Sequence, residues 1–467
     1  MPPSHWNERA AVALLVLVTV FVTLDQWAIL DMPRPVLWVT AAAILLLAMR
    51  VRFSRKVFVL AALALTGFLV AYVPDWQDVV ADGLRTASFI AAFFMALATL
   101  RNVSETSPAI AEGGTFLAAQ PPGRRYAALT LGGHLFALLL NYGAISLLGG
   151  LATASARAEP NPEIRRHRTR RMLLAIQRGF VSSLTWSPLA FSMAITNALV
   201  PGARWADVVG PGLVSTAIIA GTGWALDTAF KPRLSAPVPP RGPVDGSWYV
   251  LAPLVALLVG MGLTVALLHE LSGVAVVGIV MLIVPILALL WALYQHSGGA
   301  VTFSFRDRLR GFFGHDLPAY RGELTLLTMA GYIGTVGAPL LLPLVPRMGL
   351  DTATLPAWLI LASFVWLIPL LGQFGMNPIL AVTLIAPLIP GAEQLGMAPS
   401  AIVMSIAAGW ALSGACSPYT ATTLLIGSLG NVSAFHVGMR WNGGFVLAAG
   451  TLLTLWVLIY GFGLRWF

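Results

Sequence analysis

Residues 176–195 read IQRGFVSSLTWSPLAFSMAI, and residues 406–425 read IAAGWALSGACSPYTATTLL. Laid over one another at an offset of 230, they pair Ile176 with Ile406, Gly179 with Gly409 and Ser183 with Ser413. The Ser187-Pro188 pair then falls on Ser417-Pro418, with Phe180 over Trp410 and Ser192 over Thr422. A Ser-Pro pair recurs easily by chance. The same glycine, seven-residue spacer and Ser-Pro inside two apolar segments does not. Proline has no amide hydrogen and frees a carbonyl one turn back, so each stretch predicts a helix interrupted in mid-segment.

Working outward, a second correspondence lies upstream of each Ser-Pro. Asn141 interrupts the apolar run ALLLNYGAISLLGGL, and Asn377-Pro378 interrupts GQFGMNPILAVTLIAPL. Each half of the chain thus carries an apolar segment broken by asparagine, a linker, and an apolar segment broken by Ser-Pro. Basic residues flank the first asparagine segment on both sides, with Arg124 and Arg125 before it and Arg157 after it. Both its ends therefore belong on the cytoplasmic side, and it folds as a re-entrant hairpin with Asn141 near the tip. The segment 356–390 is flanked by Asp351 and Glu393 and reads as the same hairpin entered from outside.

Composition sets the medium in which these breaks sit. Of 467 residues, 58% are hydrophobic and only 10% charged, with a mean hydropathy of +0.82. A soluble domain carries roughly a quarter charged residues, so most of this surface must face lipid. Apolar segments near 11–30, 33–49, 57–74, 86–100, 126–151, 179–200, 207–229, 249–267, 271–294, 322–345, 356–372, 374–390, 399–428 and 443–464 have membrane-helix length. They lack the alternation of a transmembrane barrel. The N-terminus, MPPSHWNERA before an apolar run, reads as a retained first helix rather than a cleaved signal.

The net charge of +9 reflects topology rather than nucleic-acid binding. With the N-terminus inside, the outside holds only Arg34, Arg85, Arg204, Arg347 and Arg465 of the 28 basic residues. Cytoplasmic stretches include the linkers 152–178, with the basic run RRHRTRR at 165–171, and 231–247, a Pro-rich joint. The first of these has the composition of an interfacial helix anchored on anionic lipid. Cys416 is the single cysteine and excludes a disulfide framework.

The predicted fold is an all-α integral membrane protein with two inverted repeats, about eleven transmembrane helices, two re-entrant hairpins and two broken helices. An N-terminal helical pair covers 1–56, and the first repeat covers 57–230, with its hairpin near 126–151 and its broken helix at 179–200. After a cytoplasmic linker at 231–248, the second repeat covers 249–467, with its hairpin near 356–390 and its broken helix at 399–428.

A break at mid-membrane must be buried in protein or line a cavity, because lipid satisfies no backbone polar group. Free half-helix N-termini present amides and a positive dipole end to an anion, while freed carbonyls suit a sodium ion or a proton carrier. The candidate ligand-binding residues are Asn141, Gly143, Thr185, Ser187, Pro188, Asn377, Pro378, Ser417, Pro418, Thr420, Thr422 and Thr423. An isolated Ser-Pro in a membrane helix is ordinarily a kink, and an isolated Asn ordinarily packing glue; the pairing of both argues otherwise. Ionisable residues inside apolar segments are Asp25, His134, Asp227 and Glu323. Asp25 lies near a segment end, where it reaches the interface. His134, Asp227 and Glu323 are candidates for proton coupling.

These features resemble the ion transporter superfamily: divalent-anion/sodium symporters, arsenite pumps, C4-dicarboxylate carriers and some sodium/proton antiporters. CSPYTATTLL (416–425) is similar to the Cys-Ser-Pro-x-Ser-Asp-Thr-Thr stretch of one antiporter branch, and LNYGA (140–144) and GMNP (375–378) occupy the hairpin tips. The resemblance spans residue 57 to the end. It implies a homodimer with a fixed scaffold and a moving domain that carries substrate by an elevator motion. The antiporter aspartate falls on Ala421, and the symporters' strict Ser-Asn-Thr tips are absent.

The sequence therefore points to an ion-coupled secondary transporter of a small organic anion, a carboxylate, in a bacterial inner membrane. It needs no cofactor beyond a coupling sodium ion or proton, and its partners are the bilayer, the anion and a second copy of itself. The nearest alternative is a sodium/proton antiporter or inorganic oxyanion exporter. A membrane enzyme acting on lipid-linked substrates would need a sizeable external loop with basic or acidic groups. The longest one expected, 75–86, holds only three Asp and one Arg. The absence of a Gly-Lys-Ser/Thr phosphate loop excludes a primary pump.

Overall fold

Asparagine, proline and glycine set the helix ends of this chain. In a computed structural model, residues 5–232, 234–235, 246–297, 304–347 and 354–463 are described, and every regular element among them is helical. Most of the linker expected at 231–248 (residue 233 and residues 236–245) lies outside the described residues, as do Asp351 and Arg465.

In the first part of the chain the helices are α1 (His5–Gln26), α2 (Arg34–Ala48), α3 (Phe53–Tyr72), α4 (Trp76–Glu105) and α5 (Pro108–Ala119). Then follow α6 (Pro122–Leu140), α7 (Gly143–Arg157), α8 (Pro162–Ser183), α9 (Phe191–Leu199) and α10 (Trp205–Ala229). The middle holds α11 (Ala252–Ser272), α12 (Val276–Ser297), α13 (Phe305–Gly311), α14 (Leu317–Ala319), α15 (Arg321–Leu341) and α16 (Leu344–Arg347). The last are α17 (Ala357–Gln373), α18 (Pro378–Ile385), α19 (Pro399–Cys416), α20 (Ala421–Gly430) and α21 (Gly443–Leu458).

Among the described residues, nine helices or helix pairs are long and apolar enough to cross a membrane, which makes this a multi-pass membrane protein. Several leave much of their apolar surface uncovered: Leu60 and Leu63 of α3, and Leu263 and Leu267 of α11, are more than half exposed. In water such faces would aggregate; in a bilayer they meet lipid.

The chain forms two compact units that interleave along the sequence. One comprises residues 1–103, 261–354 and 379–390, and the other residues 104–260, 355–378 and 391–467. This division follows contacts and differs in kind from a division into sequence repeats. In the first unit, Tyr332 of α15 bonds Thr66 of α3 at 2.6 Å, and Thr40 of α2 bonds Ser88 of α4 at 2.7 Å. Asp25 accepts from the Met32 amide at 2.8 Å and closes the turn after α1, a structural role.

In the second unit, α6 lies along α8 and α17 lies along α19. The buried spine is α19, in which every residue from Ser400 to Cys416 is buried. Two expectations change here. The basic stretch after α7 is no separate interfacial helix: it is the first half of α8, continuous with the buried half up to Ser183. The cause is local. Asn161 caps α8 through the Glu163 and Ile164 amides with Pro162 at the first position, and nothing breaks the helix before residue 184. The stretch 76–86, expected as an external loop, is the start of the thirty-residue α4.

Candidate functional site

All four interruptions expected from sequence are present. The chain leaves the helix at Asn141 between α6 and α7, at 184–190 between α8 and α9, at 374–377 between α17 and α18, and at 417–420 between α19 and α20. Every candidate residue except Glu323 belongs to the second unit, from Asn141 and Gly143 through Asn377-Pro378 to Thr423. Glu323 sits on α15 in the first unit, with Arg101 and Arg55 within electrostatic reach.

The two Ser-Pro breaks have the same internal bonds. Ser187 N donates to Ser183 O at 3.1 Å, and Ser417 N to Ser413 O at 2.9 Å. The serine hydroxyls each accept from the amide two residues on, Leu189 at 3.2 Å and Tyr419 at 3.3 Å. Proline leaves one carbonyl bare in each helix, Leu184 O and Gly414 O. The hydroxyl of Ser192 covers the first and that of Thr422 the second, the pair aligned at the outset. Ala190 N to Ser187 O and Thr420 N to Ser417 O complete the set.

Packing against the hairpins follows the same pattern. At Gly179 a Cβ would stand 2.1 Å from Thr130 O of α6; at Gly409 it would stand 2.2 Å from Phe364 O of α17. Only glycine lets these backbones approach so closely. Ser417 also donates to Gly372 O of α17 at 2.6 Å, and a Cβ on Gly375, which has φ +87°, would stand 3.8 Å from the Tyr419 ring. The second tip thus meets the second break. At the first tip Asn141 has φ +49° and ψ −130°, a conformation suited to glycine, and Tyr142 stacks on Phe180 at 5.4 Å. Asn377 and Asn141 are both half-buried, Gly143 and Pro378 buried, and Pro188 and Pro418 half-buried.

Most of the candidate hydroxyls are already committed. Thr185 donates within reach of Ser182 O and Gly212 O and meets Thr216 Oγ1 at 3.0 Å. Thr423 donates to Ser417 O, and Thr420 to the same carbonyl at 2.9 Å. Ser187 is 1% exposed, and its own proton has no acceptor among the described residues. Donors left for a ligand therefore include the Ser192 amide of α9 and the first-turn amides of α20, neither helix having a side-chain cap. Gly414 O accepts from Thr422 and from Gln177 Nε2 at 3.3 Å, which uses both its lone pairs and leaves it unable to hold a cation in this conformation.

Two proton-coupling candidates have structural partners. Asp227 receives both arms of the Arg171 guanidinium at 2.7 and 2.6 Å. His134 has Nδ1 2.8 Å from Ser182 Oγ, and its Nε2 accepts from Trp186 Nε1 at 3.3 Å, with the rings stacked. That pairing fixes a neutral ring with the proton on Nδ1, and protonating Nε2 would cost the tryptophan bond that ties α6 to the first break.

Sequence reading missed the polar group behind the second break. Asn442, fully buried before α21, donates to Ala415 O at 3.1 Å and Gln177 Oε1 at 2.9 Å. Arg178, 5% exposed, donates to Asn442 Oδ1, to Tyr126 Oη at 2.9 Å and toward Gly223 O, and lies 4.3 Å over Phe445. None of these partners is a carboxylate. The signal was present, since Gln177-Arg178 interrupts the apolar stretch 172–184 and needs buried partners where that stretch is buried. Its partner Asn442 lies 264 residues away.

No family model matches the sequence, and no curated protein matches it significantly. Solved structures do. The chain is similar to the YdaH transporter of Alcanivorax borkumensis, a crystal structure noted for an unusual topology, with a TM-score of 0.54 and 18% identity. The likeness covers 89% of this chain and 99% of that one. It is also similar to MtrF of Neisseria gonorrhoeae, described with a class of antimetabolite efflux pumps, at a TM-score of 0.53 and 13% identity over 88% of this chain and 96% of that one. The fold is thus one found in membrane transporters. The superfamily resemblance rests on the short motifs alone.

Proposed function

We propose that this chain is an ion-coupled secondary transporter of a small organic anion, with the site at the two hairpin tips and the two Ser-Pro breaks. The observation that carries the reading is the repeated break: two half-helices, α9 and α20, begin with uncapped amides after an identical set of internal bonds. Two inverted repeats, about eleven spans and two re-entrant hairpins account for that repetition. The sign of the substrate follows from charge. No tip or break residue is a carboxylate, and the buried Arg178, nine residues before Ser187 in the chain, has no acidic partner among the described residues. Such a site favours an anion over a bare cation.

A homodimer, an elevator motion, coupling to sodium or a proton, and a bacterial inner membrane complete the proposal on the strength of the motif resemblance. Export is the direction favoured by the description of MtrF with a class of efflux pumps. With Asp227 and His134 engaged, any coupling proton rides on a group displaced during the cycle or on Glu323.

The test is transport by four variants in proteoliposomes: Ser187→Ala, Ser417→Ala, Asn377→Ala and Asn141→Gly. Glycine is chosen at 141 because it keeps the positive-φ turn, where alanine adds about 1–3 kcal/mol of strain. Each variant removes one or two hydrogen bonds, about 1–3 kcal/mol if the ligand is charged, or roughly five- to hundredfold in affinity. Normal purification with transport cut in each supports the site. Wild-type transport in all four reduces the breaks to kinks.

A further inference from the structure

The basic first half of α8 is not all exposed surface. Together with the start of α6 it walls a pocket of about 90 Å³, lined by Arg125, Tyr126, Glu159, His167, Arg168 and Arg171 among others. About 10–15 Å³ of such volume admits one water, so a phosphate group fits with water beside it. Arg168 decides its chemistry. It is 8% exposed, its Nη2 donates to Ser155 Oγ at 2.7 Å, and its Nε and Nη1 have no hydrogen-bond partner among the described residues. A buried guanidinium with two unmet donors is costly unless something supplies acceptors.

The charges around it do not supply them. Asp227 is held by Arg171 on both oxygens. Among the described residues, Glu159 is the acid that lines the pocket, against three arginines and His167. The α6 N-terminus, without a side-chain cap, opens at the same place and adds its positive dipole end. A phosphate carries several acceptor oxygens, so it meets an unsatisfied edge of Arg168 and a neighbouring arginine together, which a halide does not.

We propose that this pocket is a phosphate-group site, separate from the Ser-Pro breaks, in which the Arg168 guanidinium donates to the anion. The phosphate belongs either to an anionic phospholipid headgroup at the membrane surface or to a free phosphorylated solute. The proposal does not depend on the anion-carrier reading.

The experiment uses the full chain purified in neutral detergent, with thermal unfolding followed in three titrations: inorganic phosphate, short-chain phosphatidylglycerol, and chloride at matched ionic strength. Phosphate or phosphatidylglycerol raises the unfolding temperature where chloride does not. Arg168→Gln shifts the half-maximal concentration upward by roughly tenfold or more. A response to phosphate alone assigns a free solute, and a response to the lipid, with or without phosphate, assigns a headgroup. Should Arg168→Gln fail to purify as a single species, Arg168→Lys takes its place, since it keeps the charge, loses the planar guanidinium with its several donors and weakens binding by a similar factor. The proposal is overturned if neither anion stabilises the wild type beyond chloride, or if the variant measured responds as the wild type does.

Discussion

Gly179→Ala and Gly409→Ala will each unfold or severely destabilise the protein, and to similar extents. The new Cβ would lie 2.1 Å from Thr130 O in one case and 2.2 Å from Phe364 O in the other. Both obstacles are backbone atoms of a packed helix, which cannot turn aside as a flexible side chain can. Overpacking a core commonly costs about 1–3 kcal/mol, and moving a whole helix exceeds that. The control is Gly150→Ala on α7, where nothing lies within 4 Å and the higher helix propensity of alanine is neutral or favourable. Thermal unfolding in detergent separates them. A wild-type unfolding temperature for either Gly179→Ala or Gly409→Ala would mean that the hairpin helices do not abut α8 and α19 as described.

Ala421→Asp will abolish or nearly abolish anion transport without harming the fold. Ala421 opens α20 and is half-buried at the end where the uncapped amides point. A carboxylate there meets the positive end of the helix dipole and stabilises the helix by about 0.3–1 kcal/mol. The same carboxylate occupies the amides an anion would use and repels it. Two like charges about 4 Å apart at an effective dielectric near 20 interact by about 4 kcal/mol, equivalent to several hundredfold in affinity. Ala421→Asn, similar in size and uncharged, keeps most of the transport. Equal transport by Ala421→Asp and wild type would place the anion away from α20.

The breaks were legible in the sequence because their cause is local. Pro188, Pro378 and Pro418 each withhold an amide, and asparagine tolerates the positive φ found at Asn141. The equivalence of Ser192 and Thr422 was also visible, as an alignment, before its meaning as a cover for a bared carbonyl was. What escaped was set by tertiary packing. Charge alone made 165–171 look like a surface anchor, yet Asn161-Pro162 starts one helix that continues from this stretch into the core at 172–183. Asp227 and His134 looked like proton carriers because intramembrane ionisable groups are costly. Their partners Arg171 and Trp186, 56 and 52 residues distant, could not be assigned from spacing. The pairing of Arg178 with Asn442 is of the same kind.

The measurement closest to the central claim is flux through the wild-type protein in proteoliposomes, with sodium or proton gradients imposed separately and a panel of mono- and dicarboxylates and inorganic oxyanions supplied in turn. An anion carrier moves at least one carboxylate, faster under one of the two gradients, and moves neither cation without an anion. Sodium-for-proton exchange with no anion present, or no gradient-driven movement of any anion in the panel, would contradict it.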